Sequence, residues 1–274
     1  MTEARMRFST EILPRLGEEL NPSPDQSLLE LVKNAYDADA RHCRVELIDT
    51  DEPGGTVLIS DDGDGMELEA IQDGWLVIGR SGKSVRERTR LERVPAGSKG
   101  LGRLAALRMG STVRVSTRPR GKSSQQYCLG IGWSDFDNVR VVEDVVLPIE
   151  TRRRASGSEQ GTDIAIENLR LRMGRMDVKR LAPAMILLAD PFGDDPAGFE
   201  PVLLAPESRD LEKLARERYF EDADYHLVAD LHADGHAEAR VVDWRGAELF
   251  RAQHKDLAGR RKGEPYRCPR ATFH

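Results

Sequence analysis

Cysteine is scarce. Cys43, Cys128 and Cys268 lie far apart and form no C-x-x-C pair, which excludes a disulfide framework and a thiolate zinc site. No stretch approaches the roughly 20 apolar residues of a membrane-spanning helix. The first residues, MTEARMRFST, have no apolar centre of the kind a signal peptide carries, so the expected location is the cytoplasm. Positive charge is not in excess either: the net charge of −6 exerts no global pull toward nucleic acid. Basic clusters at Arg86–Arg90, Arg152–Arg154 and Arg260–Lys262 read as solvated loops. His232 and His236 flank Asp234-Gly235 and read as surface residues of a hairpin turn, not as metal ligands. What is present suits a soluble protein with a core. Apolar residues make up 39% and charged residues 32% of 274, enough for one large domain or two small ones.

Three short motifs in a fixed order carry the chemistry. The first is ELVKNAYDADA, Glu30 to Ala40. Ser23, Pro24 and Gln26 give its helix an N-cap, a first-turn proline and a capping box. Leu28, Leu29, Val32, Ala35 and Tyr36 recur at helical spacing as the buried stripe. Glu30, Asn34 and Asp37, at i, i+4 and i+7, fall within roughly 60° of one another on another face. Such a face offers carboxylate and amide oxygens to a magnesium ion and a carboxylate to an attacking water. It is equally what a solvated helix face would show.

The second motif, DDGDGM, runs from Asp61 to Met66 after the strand-like Thr56–Ser60. Gly63 and Gly65 allow positive φ and a close approach of ligand to backbone. Asp61 is placed to accept from an exocyclic amine, and Met66 to pack on a flat ring. The same letters also suit an ordinary Asp/Gly turn. The third motif, GSKGLGRLAALRMG, puts Gly97, Ser98, Lys99, Gly100, Leu101 and Gly102 ahead of a helix that Gly110 ends. Backbone N–H groups at a helix N-terminus attract anions. A flexible loop before a core helix would look alike. GRSGKS, Gly79 to Ser84, is not a P-loop: the required earlier glycine is Val77, and no strand precedes it.

The order and spacing of these motifs resemble the GHKL ATPases: DNA gyrase's ATPase subunit, the ninety-kilodalton heat-shock chaperone (HSP90-like proteins), histidine kinases and MutL. The matching pattern is E-x-x-x-N-A-x-D-A, D-x-G-x-G-M and G-x-K-G-x-G, with Gly161-Thr162-Asp163-Ile164 like the family's late G-T-x-I, over about residues 8 to 170. The resemblance implies Glu30 as the base for water and Asn34 as a ligand to Mg²⁺. It implies Asp61 as acceptor of the adenine amino group, with Thr162 nearby. It gives Gly63, Gly65 and Met66 to the base pocket and Gly97, Ser98, Lys99, Gly100, Leu101 and Gly102 to the phosphates of ATP. Asp37 either binds a ligand or stabilises the loops, and residues 79–98 form an ATP lid. No histidine lies in the short segment before the first motif, which argues against the histidine-kinase branch and its phosphotransfer. The IGRSGKS segment and GSKGLGRLA look most like bacterial MORC-type or chaperone-like members. A nucleotide-dependent binding module without hydrolysis remains the alternative.

The expected fold is α+β: a two-layer α/β sandwich of the Bergerat type over residues 1–190, followed by the start of a second α+β, transducer-like domain over 191–274. Strands are expected at Arg44–Thr50, Thr56–Ser60, Ser111–Thr117, Gln125–Trp133, Val139–Leu147 and Thr162–Glu167, and helices at Glu67–Leu76 and Asp177–Leu188. The boundary is read at the turn-rich Asp190–Pro196. Beyond it come a charged helix, Asp210–Tyr219, and strands at Tyr225–Leu231 and Ala237–Val242. The final residues show no closing helix, as in a partly contained domain. In gyrase- and MutL-like proteins this domain supplies a lysine to the γ-phosphate; Lys255 and Lys262 are the candidates. A homodimer is expected, with a protein or DNA client unassigned and no membrane.

Overall fold

A computed structural model describes residues 8–11, 23–77, 88–97, 102–121, 124–155, 159–188, 198–206, 224–232, 234–257 and 271–273. It forms two compact units, residues 1–216 and 217–274. The expected helix at 210–219 lies outside the described residues.

The first unit is built on a seven-stranded sheet: β1 (His42–Ile48), β2 (Thr56–Asp61), β3 (Gly110–Arg118), β4 (Gln125–Gly132), β5 (Ile149–Arg153), β6 (Gly161–Leu169) and β7 (Glu200–Leu204). Their order across the sheet is β5-β4-β3-β6-β2-β1-β7. Alternation decides which face is covered: Cys43, Val45 and Leu47 of β1 are fully buried between exposed or half-exposed neighbours. They share one core with Val57, Ile59, Val113, Val115, Ile164 and Ile166. The helices α1 (Pro24–Asp37), α2 (Gly102–Met109) and α3 (Arg175–Leu188) belong to that layer, with α1 packed on both α2 and α3. Leu28, Leu31, Val32 and Ala35 are the buried stripe of α1. Each of the three larger of these side chains contributes about 1.5–3 kcal/mol by leaving water. This is the expected mixed sandwich.

α1 starts where the sequence signals. Ser23 is its N-cap and Pro24 its first residue, but the Ser23 side chain makes no capping bond; its carbonyl takes the Ser27 N–H instead. The helix expected at 67–76 is a short turn, Leu68–Ala70, that widens into a π-turn over Ile71–Trp75. Proline is tolerated inside α3 at Pro183.

Two expectations fail here. Val139–Leu147 alternates like a strand, yet it forms only a bridge from Val141 to Ser9 and a 3-10 turn, Val142–Asp144. The edge of β4 that it would pair with is taken by β5, from Leu129↔Ile149 to Gln125↔Arg153. The boundary read at 190–196 comes too early for the first unit, because β7 joins its sheet by parallel pairing to β1. Pro201 within β7 is compatible with that edge position.

The second unit carries a four-stranded sheet of β8 (Tyr225–Leu231), β9 (Ala237–Asp243), β10 (Glu248–Gln253) and β11 (Ala271–Phe273), in the order β10-β9-β8-β11. The hairpin turn at 232–236 forms as expected, with the His232 N–H on the His236 carbonyl. His232 and His236 face Glu238 and Asp234. No cluster of three or more metal-ligating side chains occurs among the described residues. Among them, too, no helix is long and apolar enough to cross a membrane.

Candidate nucleotide site

The sheet register places one polar row on the helix-covered face. Cys43 of β1 stands opposite Asp61 of β2, Asp61 opposite Thr162 of β6, and Thr162 opposite Thr117 of β3. Opposed residues on adjacent strands share a face. The row therefore continues the inward columns Leu47–Val45–Cys43 and Val57–Ile59–Asp61 to the end of the sheet. There the apolar pattern gives way to a carboxylate and two hydroxyls.

Asp61 is held firmly. Its Oδ1 accepts the N–H of Gly63 at 2.9 Å and that of Thr162 at 3.3 Å. Burial pushes its carboxyl up to about 6; those two N–H bonds oppose the rise, and the charges of Asp163 and Asp62 add to it. Thr117 organises the rest. Its hydroxyl oxygen accepts the Met66 N–H at 2.8 Å and lies 3.1 Å from the Thr162 hydroxyl. Met66 thus sits, half-buried, beside the row.

The glycines of this turn differ in their reasons. Gly65 has φ +66°, and a Cβ there would fall 2.2 Å from the Arg118 carbonyl oxygen. Gly63 is not among the positive-φ residues; it is required by proximity, since a Cβ would come within 2.8 Å of the Ala38 carbonyl oxygen. That contact ties the second motif to the loop that ends the first.

On the helix side, Glu30, Asn34 and Asp37 lie along α1 but do different work. Glu30 is one-third exposed and its Oε1 accepts from Lys33 Nζ at 2.8 Å. Asn34 is exposed. Asp37 is buried and its carboxylate takes the N–H groups of Ala96 at 2.7 Å and Gly97 at 3.0 Å. A Cβ on Gly97 would sit 3.0 Å from Asp37 Oδ2 and 4.0 Å from Asn34 Oδ1, so the start of the glycine cluster rests over the Asn34 face. Ser98, Lys99, Gly100 and Leu101 lie outside the described residues, and Gly102 opens α2. The far end of α2 is fixed by Trp133, whose Nε1 donates to the carbonyls of Leu107 and Gly110. Of the residues 79–98 expected as a lid, 88–97 are described.

The donor set suits a hard cation. Asn34 and Glu30 present oxygens on one exposed face, and Mg²⁺ takes one or two protein oxygens together with phosphate and water. Asn34 is the residue that would hold it. Three participants escaped sequence reasoning. Thr117 had a signal, as the third inward position of a strand whose earlier inward residues are Val113 and Val115. Asp39 and Arg93, which bind residues 88–97 to α1, had none.

No curated protein matches the chain significantly. Residues 22–162, just over half of the 274, match the model of one family, and they contain the row on the sheet, the acidic glycine turn and the oxygen-bearing face of α1. The chain belongs to the histidine kinase-, DNA gyrase B- and HSP90-like ATPases.

Proposed function

We propose that the chain binds ATP with magnesium and hydrolyses it slowly, with closure of residues 79–98 driving dimerisation or a rearrangement of the second unit. Membership of an ATPase family supports ATP binding and hydrolysis at a general level. The observation that carries the finer reading is Asp61: a half-buried carboxylate held by two backbone N–H groups, with a row of two hydroxyls beside it at the end of the sheet.

In this reading the ionised Asp61 accepts from the adenine amino group, with Thr162 alongside. Gly63, Gly65 and Met66 shape the base pocket. The 97–102 cluster and Lys99 surround the phosphates, Gly97 by close approach, since its own N–H is taken by Asp37, and the rest as backbone donors at a helix start. Magnesium, when bound, neutralises charge on the phosphate oxygens. Glu30 orients and deprotonates the water. Asp37 contributes indirectly, by holding the cluster's first residues. The 191–274 segment acts as a transducer-like domain, with Lys255 or Lys262 as its γ-phosphate lysine.

A second reading has one observation in its favour. Glu30 is already paired with Lys33, which leaves its carboxylate less available to water. A nucleotide-dependent binding module with negligible hydrolysis would look the same in every other residue. Calorimetry with ATP and Mg²⁺ tests both readings together; absence of binding removes both. Single-turnover release of γ-phosphate then separates them.

A further inference from the structure

The stretch 88–97 was expected to move as part of a lid, yet it is fastened at four places to the first two motifs. Asp39, buried and in the left-handed region at φ +59°, accepts the Leu91 N–H on Oδ2 at 3.1 Å. Arg93 Nη1 donates to the carbonyls of Tyr36 at 3.1 Å, in the last turn of α1, and Ala40 at 2.7 Å, just past it. Asp37 takes the N–H groups of Ala96 and Gly97. Arg90 makes a two-point contact with Asp64 of the acidic turn, Nη2 to Oδ1 at 3.0 Å and Nε to Oδ2 at 3.3 Å.

The stretch is also bonded within itself. The Thr89 N–H reaches the Arg93 carbonyl, the Glu92 N–H reaches the Thr89 carbonyl, and the Arg93 N–H reaches the Thr89 hydroxyl. Around Arg93 the packing is aromatic. Its guanidinium lies 4.8 Å from the Tyr36 ring centre and 5.7 Å from that of Phe199, and the two rings meet edge to face at 5.5 Å. Phe199 directly precedes β7. A planar cation with a fork of donors fits this setting of two carbonyls and two rings better than an ammonium would.

We propose that Arg93 and Asp39 are positioning residues for the nucleotide site. They pin 88–97 to the end of α1 as a fixed stem, so that Gly97 is held over Asn34 before any nucleotide arrives. On this proposal 88–97 takes no part in the closure ascribed above to residues 79–98. The stem sets how long bound phosphates stay in place, because Asp37, Gly97 and Asn34 keep their spacing only while the clamp holds.

Two measurements test this. The first is amide hydrogen exchange on the wild-type protein without nucleotide, which does not depend on the ATP reading. Leu91, Ala96 and Gly97 should be protected, and addition of ATP and Mg²⁺ should change them little. Exchange at open-loop rates, or protection gained only with nucleotide, overturns the proposal. The second rests on the ATP reading: release of a fluorescent ATP analogue from wild type and Arg93→Ala. Loss of charge-assisted bonds to two carbonyls should speed release by about tenfold. A variant that loses thermal stability but releases the analogue at the wild-type rate would mark Arg93 as merely structural. If the wild type takes up no ATP, the functional reading fails, while the exchange experiment still decides the clamp.

Discussion

The two ends of the candidate site are built by different means. At one end, Asp61, Thr162 and Thr117 occupy consecutive strands, and the sheet's own register sets their separations. At the other, Asn34 and Asp37 at the end of one helix meet a loop, and side chain–backbone bonds from Asp37 hold that loop in place. A register cannot drift without turning every neighbouring side chain to the wrong face. A loop held by carboxylates and a guanidinium has no such protection. The strand-built end therefore owes its geometry to the whole sheet, and the helix-and-loop end to a few side chain–backbone bonds that single substitutions can remove.

The sharpest way to break this contrast is at Glu30. Glu30→Ala should lower the hydrolysis rate by about 10²–10⁴-fold, the usual worth of a general base, while leaving ATP affinity within a few-fold. Phosphate release and calorimetry on the same preparation check it, and undiminished turnover removes Glu30 as the base. Asp61→Asn should do the opposite, weakening binding by about 10–100-fold through loss of a charged acceptor in a buried place. Equal loss of affinity in the two variants would erase the distinction between the ends.

Acidity gives a milder version of the second test. In the proposed role Asp61 accepts from an amine most strongly when ionised, and burial pushes its carboxyl up to about 6. Below that pH a proton has to leave first, so affinity should fall by about tenfold per pH unit, and be flat above. Asp61→Asn should show no such slope. The sign for stability runs the other way. An unfolded chain ionises this group from about 3.8, the folded one only from about 6, so its protonated form favours folding. That contribution is complete below about 4 and lost as pH rises through about 6. Thr117→Val should have the smallest effect. It removes the acceptor of the Met66 N–H and a partner of Thr162, about 1 kcal/mol of stability and a few-fold in affinity. A thermal melt and a titration on the one variant suffice.

Much of this was legible in the sequence, and the residues say why. Glu30, Asn34 and Asp37 advertise a shared face because helical spacing is local. Asp61 and its glycines follow an apolar run whose alternation marks a strand, and the inward parity of Asp61 follows from counting. β7 was not legible: parallel pairing to β1 across more than 150 residues leaves no local trace, and Pro201 argues against a strand. Arg93 was equally silent. Its partners are main-chain carbonyls, which every residue possesses, and its position in an Arg-rich loop reads as solvated. Val139–Leu147 misled for the converse reason, since its period is right but the edge it needs is occupied.

Cys43 closes the row beside Asp61, wholly enclosed, with its thiol driven far above the ordinary range by burial and then by the charges of Asp61 and Asp62. An alkylating reagent can reach that sulfur only when β1 and β2 part. In a protein whose Cys128 and Cys268 have been replaced by serine, the labelling rate of the one remaining thiol would report how often this corner of the sheet breathes. Comparison with and without nucleotide would give the grip of the base on its pocket as a rate of chemical modification, with no reference to turnover.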